Sequence, residues 1–189
     1  IEQNIRVDYS IYDISRMELI DESVNGKEPL IINLLEDFQA EGIPVLPASE
    51  TDDYRAYLCN IPGELLAKMY NKYQSRLLEG NVRSFLSTKV AVNKKIRATI
   101  LNSPEMFFAF NNGISATAMD VQIESTNQGK FIKFARDFQI INGGQTTASI
   151  SNARYRDKAL LDNIYVQMKL TAIDETTQEE SDELIRNIS

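Results

Sequence analysis

The chain has 189 residues, of which 43% are hydrophobic and 25% charged, with a net charge of -7; this is typical of one globular domain with its own core. It contains no histidine, which excludes an imidazole general base, a Ser-His-Asp or Cys-His pair and any zinc or HNH-type nuclease site that needs histidine. No stretch approaches the run of about 18 apolar residues that spans a membrane, so no membrane partner is expected.

The first half of the chain alternates short strands with helices. Residues 1–53 form an acidic N-terminal subregion, where the pattern predicts a strand near residues 4–14 and a helix over about 15–23. Three further strands are predicted at "PLIINL", "IPVLPA" and "YRAYLCNI", with glycine and proline between them. A helix then begins at Pro62 and runs to about Tyr73, with its apolar residues on one face.

The only cysteine, Cys59, lies in the third of these strands and has no partner for a disulfide. Its apolar surroundings predict a buried structural thiol rather than a reactive one. One cysteine and no signal peptide are typical of a reducing compartment, so we expect a cytoplasmic protein. The chain begins at Ile1 and stops at Ser189 within a helical pattern, and we expect it to be a fragment of a longer protein.

Two helices are predicted in the middle of the chain. Apolar positions recur at helical spacing over residues 92–100, while Lys94 and Arg97 fall on another side of that helix, where they face solvent or a ligand. The segment "SPEMFFAF" predicts a second, short helix, with Ser103 as its cap and Pro104 in its first turn.

The second half is dominated by strands. "GISATAMDVQIE" and "KFIKFA" each predict one strand, joined by a hairpin at "STNQG", and "DFQII" predicts a third that ends at Asn142. A helix over about 144–155, a strand at "NIYVQMKLTAI" and a final acidic helix complete the chain. This interleaving predicts an α/β or α+β fold with a mixed sheet in a single main domain.

Charge is unevenly spread along this pattern. Basic residues dominate from Lys68 to Arg97 and recur in two clusters, at residues 130–136 and 154–158, while acidic residues concentrate towards both ends of the chain. Two interpretations stay open. Either the basic residues are solvated helix faces, or they converge on a positive surface that binds a phosphate-bearing ligand.

Two Asn-Gly turns lie against apolar runs. In "INGGQTTASI" a strand runs into two glycines and then a helix, an arrangement that can hold an anion on free backbone N-H groups. The alternative is a tight strand-to-helix turn with a threonine as the helix cap. In "FNNGIS" the Asn111 amide can donate and accept hydrogen bonds to a ligand; alternatively, Asn112 and Gly113 take left-handed conformations and only launch the next strand.

Because open sheets collect ligands where strands end, we predict one binding site from these turns and the nearby cations. The predicted ligand-binding residues are Arg83, Lys94, Lys95, Asn111, Asn112, Gly113, Asn142, Gly143, Gly144, Gln145, Thr146 and Thr147. In the alternative, Asn111 and Asn142 bond each other's turns and Arg83 is an internal anchor between segments.

Three ordered blocks carry a family resemblance over roughly residues 54–189: Asn81-Val82-Arg83, Asn111-Asn112-Gly113-Ile114 and Asn142-Gly143-Gly144-Gln145-Thr146. With these blocks the chain resembles the AIPR family, named for abortive infection and phage resistance. The resemblance implies a cytoplasmic bacterial protein of antiphage defence. The strand-turn-helix is also similar to the DGQHR and ParB-like group, which handle nucleotides or DNA, but Asn142 stands where that group has an acid and Thr146 where it has a basic residue.

Three functional classes follow from these patterns. The favoured one is a recognition domain for DNA, RNA or a nucleotide; the second is a structural or protein-interaction domain that contacts other parts of the full-length protein. The third is a metal-dependent nuclease, for which Asp162, Gln167 and Lys169 imitate a restriction-type pattern, although their spacing is short for that hairpin. No zinc or His-dependent metal site is expected, the cofactor is left unspecified, and no catalytic residue is assigned.

Overall fold

The computed structural model describes residues 29–78 and 90–173. The strand and helix predicted before residue 29 and the acidic helix predicted at the end of the chain lie outside these residues. The strands described are β1 (Ile31–Asn33), β2 (Ile43–Glu50), β3 (Tyr54–Pro62), β4 (Ile114–Ala118), β5 (Asp120–Thr126), β6 (Gly129–Arg136), β7 (Gln139–Asn142) and β8 (Tyr165–Ile173). The α-helices described are α1 (Leu34–Phe38), α2 (Gly63–Tyr73), α3 (Val90–Asn102), α4 (Phe107–Phe110) and α5 (Gly144–Tyr155).

The eight strands form one curled, mixed sheet, so the described residues make a single α+β domain. From one edge to the other the strands run β5, β6, β2, β3, β8, β4 and β7, and β1 also pairs with β6 beyond the end of β2. All pairs are antiparallel except β4 with β8. The β3–β8 pair is the longest and lies at the centre of the sheet; β8 alternates exposed and buried residues over Tyr165–Leu170 and is buried on both faces beyond it.

The core lies between one face of this sheet and the helices. Inward side chains of β3, β8 and β4 are buried, among them Ile61, Met168 and Ala116. Helix α2 presents Leu66 and Met69 to the same core, as the predicted apolar face requires. Helix α5 packs against α2 and α3, and it is buried along much of its length, which explains its small side chains.

Most predicted elements are confirmed, with three local corrections. The predicted strand "GISATAMDVQIE" is wrong as one strand, because the chain breaks at Met119, whose N-H donates to the Arg136 carbonyl, and changes neighbours between β4 and β5. The segment from Pro104 starts as a 3-10 turn and only then becomes α4, and the Ser103 side chain makes no cap hydrogen bond. The sequence "SRLLEG" also predicts a short α-helix stopped by Gly80, whereas the described residues there, Gln74–Leu77, form a 3-10 helix.

The predicted burial of Cys59 is confirmed. Its side chain lies in the core, and burial raises the pKa of the thiol to about 12. A thiol with that pKa is almost never ionised at neutral pH, so it is a poor nucleophile.

Candidate ligand-binding surface

The two Asn-Gly turns pack directly against each other. Gly113 has φ 79° and Gly143 has φ 88°, both in the left-handed region that favours glycine. A Cβ atom on Gly143 would lie 2.6 Å from Ile114 Cγ2 and 2.9 Å from the Gly113 carbonyl oxygen, and one on Gly113 would overlap the Gln167 carbonyl. These two positions therefore require glycine, because the backbones of β4, β8 and the start of α5 approach too closely to leave room for a Cβ atom.

Asn111 joins the two turns through its side chain. Its Oδ1 accepts from the Gly113 N-H at 2.9 Å, and its Nδ2 donates to Thr146 Oγ1 at 3.1 Å. The Thr146 side chain is buried and Asn111 is half-buried. The amide of Asn111 is thus used within the protein, as in the structural alternative, although its partner is Thr146 and not Asn142.

Two predicted details of these turns are wrong. Gly143, and not a threonine, occupies the cap position, and no side chain caps the helix; Thr147 instead donates its hydroxyl back to the Gly143 carbonyl at 3.2 Å. Asn112 is not left-handed, since Gly113 alone has positive φ in that turn. The first-turn N-H groups of α5 therefore lack a side-chain cap, the condition under which a helix start attracts anions.

Three predicted residues near these turns remain accessible. Asn112 and Asn142 are exposed, and Gln145 is half-buried. On the sheet face away from the helices, Asn142 pairs with Ser115, which pairs in turn with the exposed Lys169 of β8. A short polar row with one cation thus leads across the sheet to the start of α5.

The predicted cations lie at the other end of the α3–α5 pair. Arg97 of α3 forms a bidentate ion pair with Asp157, just after α5, with N···O distances of 2.6 and 2.7 Å. The hydrogen bond from Arg97 lowers the pKa of Asp157, and the same contact raises the pKa of Arg97. This ion pair links α3 to the residues that follow α5.

Other cations lie close in sequence to Arg97 and to Asp157. Lys94 is three residues from Arg97 and therefore its neighbour on the helix, and Arg156 and Lys158 flank Asp157 in sequence. Lys94, Lys95, Arg156 and Lys158 are all exposed. We call these four residues with Arg97 the basic junction.

The predicted site is thereby divided into two groups. Helix α5 separates them: it runs from Gly144 to Tyr155, and its twelve residues span roughly 18 Å. The asparagines and glycines cluster at one end, whereas Lys94 and Lys95 belong to the other. Arg83 lies outside the described residues.

Two exposed aromatic residues of α4 are not among the predicted site residues. Phe108 and Phe110 of α4 are 51% and 66% exposed, while Phe107 is buried. The pattern "FFAF" contained the clue, because residues on one short helical turn cannot all face the same core.

The three residues of the nuclease hypothesis lie on the surface, in β8 and in the loop before it. Asp162, Gln167 and Lys169 are exposed, with Asp162 in the loop before β8 and the other two on its outward face. Among the residues that the structure describes, no three acidic or cysteine side chains gather closely enough to hold a metal ion.

The chain matches one family model, described as AIPR protein, over residues 78–189. The chain belongs to the AIPR family. This match includes both turns and the basic junction, and it assigns the AIPR domain to antiphage defence. Neither a curated protein nor a solved structure matches the chain. Within the described part of this AIPR protein, no helix is long and apolar enough to cross a membrane.

Proposed function

We propose that this AIPR domain recognises nucleic acid in antiphage defence, and that the basic junction provides the phosphate contacts. The observation that supports this most strongly is a group of exposed cations near one ion pair: Lys94 and Lys95 lie within one helical turn of Arg97 in α3, and Arg156 and Lys158 flank the Asp157 that Arg97 contacts. Lys and Arg side chains that replace condensed counterions supply most of the affinity for a phosphate backbone.

The overall negative charge does not oppose this proposal. The described residues contain nearly equal numbers of acidic and basic residues, so the net charge of -7 comes from the rest of the chain. Two acidic residues of the described helices form ion pairs with cations: Glu64 of α2 with Arg154, and Asp37 of α1 with Lys72. The basic junction therefore retains a local positive field.

Charge reversal at the junction tests the proposal. Lys94→Glu should weaken binding of a fluorescent oligonucleotide at low salt by tenfold or more, and wild-type affinity should fall steeply as salt rises. Lys130→Glu is the matched control, because Lys130 is an exposed lysine on β6, in the sheet region opposite β4 and β7. Equal effects of the two variants, or no binding by the wild type, would contradict the proposal.

A structural role for the turns is the second candidate, supported by the Asn111–Thr146 hydrogen bond. In that case the asparagines and glycines hold β4, β7 and α5 together and do not read a ligand. A thermal-shift screen with nucleotides separates the two roles: stabilisation by one nucleotide class would assign ligand binding to the start of α5, and no shift would leave the turns with a structural role.

A further inference from the structure

Exposed apolar side chains form a ledge where α3 ends. Leu101, Met106, Phe108 and Phe110 are between 38% and 66% exposed. The fold itself uses Phe107, which is almost fully buried, so the two exposed rings contribute little to the core. Neighbouring large apolar groups on a surface of this kind mark a binding face.

The ledge is continuous with the basic junction along α3. Lys94, Ala98 and Leu101 follow each other at helical spacing, and all three are exposed. The rise along a helix puts Leu101 about 10 Å from Lys94. One exposed stripe of α3 therefore leads from a cation to the end of the helix that packs near α4, which carries the exposed rings.

The charges around the ledge indicate what covers it. From Asn93 to Gly113 the only acidic residue is Glu105, against Lys94, Lys95 and Arg97. Such a surface complements a polyanion that also has flat apolar faces. Single-stranded nucleic acid combines the two, because unpaired bases can stack on aromatic rings while the phosphates meet the cations. A duplex hides its base faces within the stack and cannot cover the rings in this way.

We infer that the ledge binds unpaired bases, so that this domain takes single-stranded nucleic acid in preference to duplex; this inference rests on the proposed function. Phe108 and Phe110 are two residues apart in α4 and point to different sides of that turn, so they contact different bases. The exposed Asn112 follows Phe110 closely, and its amide can both donate to and accept from a base edge.

The test compares single strands with a duplex on the 189-residue chain. Fluorescent oligothymidylate and oligouridylate of about 20 nucleotides and a DNA duplex of that length are titrated by anisotropy. We expect one or both single strands to bind about tenfold more tightly than the duplex, and the two arms show whether the source is DNA or RNA. Phe110→Ala should lose this preference while duplex affinity stays unchanged.

Two controls keep the result specific. Phe110→Leu retains an apolar side chain but loses the flat ring, so it should bind like Phe110→Ala. Leu58→Ala removes another exposed apolar side chain, on the outward face of β3, and should bind like the wild type. Unchanged melting temperatures would show that all three variants are folded.

Three results would overturn the inference. Equal binding of single strands and duplex, with no effect of Phe110→Ala, would refute it and leave the proposed function standing. Binding of no nucleic acid would refute the proposed function as well. Light scattering measures the oligomeric state of both proteins. A dimer in the wild type that is lost in Phe110→Ala would assign the ledge to an interface between copies of this chain.

Discussion

Asn111→Ala tests whether the two Asn-Gly turns hold each other. The substitution removes the acceptor of the Gly113 N-H and the donor to the buried Thr146 hydroxyl. Two neutral hydrogen bonds are worth about 2 kcal/mol together, and the stranded Thr146 hydroxyl adds to this, so we expect a loss of about 2–3 kcal/mol in the free energy of unfolding. For a chain of this size the melting temperature should fall by roughly 4–10 °C.

The assay is guanidinium unfolding followed by circular dichroism. Asn112→Ala is the control, because Asn112 is the next residue in the same turn, is exposed and should change stability by less than about 0.5 kcal/mol. Thr146→Val and the double variant complete a mutant cycle, whose coupling should be about 1 kcal/mol because one shared bond is lost. Equal stabilities of Asn111→Ala and Asn112→Ala, or additive effects in the cycle, would refute this reasoning.

Three further predictions concern the backbone, the core and pH. Gly113→Ala should lower the free energy of unfolding by about 3–5 kcal/mol, because strain at positive φ adds to a clash with β8. Gly129 also has positive φ, but the space around its Cβ is open, so Gly129→Ala should lower the free energy of unfolding by only about 1–3 kcal/mol. Equal losses in the two variants would contradict the clash at Gly113. Cys59 should not react with Ellman's reagent in the native protein and should react fully in denaturant; rapid native labelling would show that the thiol is accessible. Desolvation raises the pKa of Asp37, but hydrogen bonds from Lys72, the Asn33 N-H and Tyr73 outweigh it, and the folded pKa is lowered. The stabilisation is therefore complete above the unfolded pKa of about 4 and lost as the pH falls, so Asp37→Asn should melt below the wild type at pH 7 and close to it at pH 3; a constant gap would contradict this assignment.

Local patterns in the sequence were enough to predict most elements. Apolar patterns in "YRAYLCNI" and "NIYVQMKLTAI" predicted β3 and β8, and Pro62 marked the junction between β3 and α2. The pair of glycines after Asn142 predicted the start of α5. In each case the deciding interaction is short-range: side-chain alternation, a fixed proline φ or a glycine turn.

Long-range pairing could not be predicted in the same way. Side-chain alternation changes phase at Met119, but the local pattern does not reveal that β4 pairs with β7 and β8 while β5 pairs with β6. Asn111 and Thr146 are 35 residues apart, and Arg97 and Asp157 are 60 residues apart. The first contact makes Asn111 the asparagine that hydrogen-bonds within the protein, and the second joins Arg97 of α3 to the end of α5. Both contacts form only when the sheet is assembled.

The salt dependence of oligonucleotide binding tests the central claim most directly, namely that the basic junction contacts phosphates. Binding of one single-stranded oligonucleotide is measured by anisotropy across a series of salt concentrations for the wild type, Lys94→Ala and Lys130→Ala. Each lost phosphate contact lowers the slope of log affinity against log salt by about 0.7 for a single strand. We predict that decrease for Lys94→Ala and the wild-type slope for Lys130→Ala; a wild-type slope for Lys94→Ala, or affinity that does not depend on salt, would contradict the account.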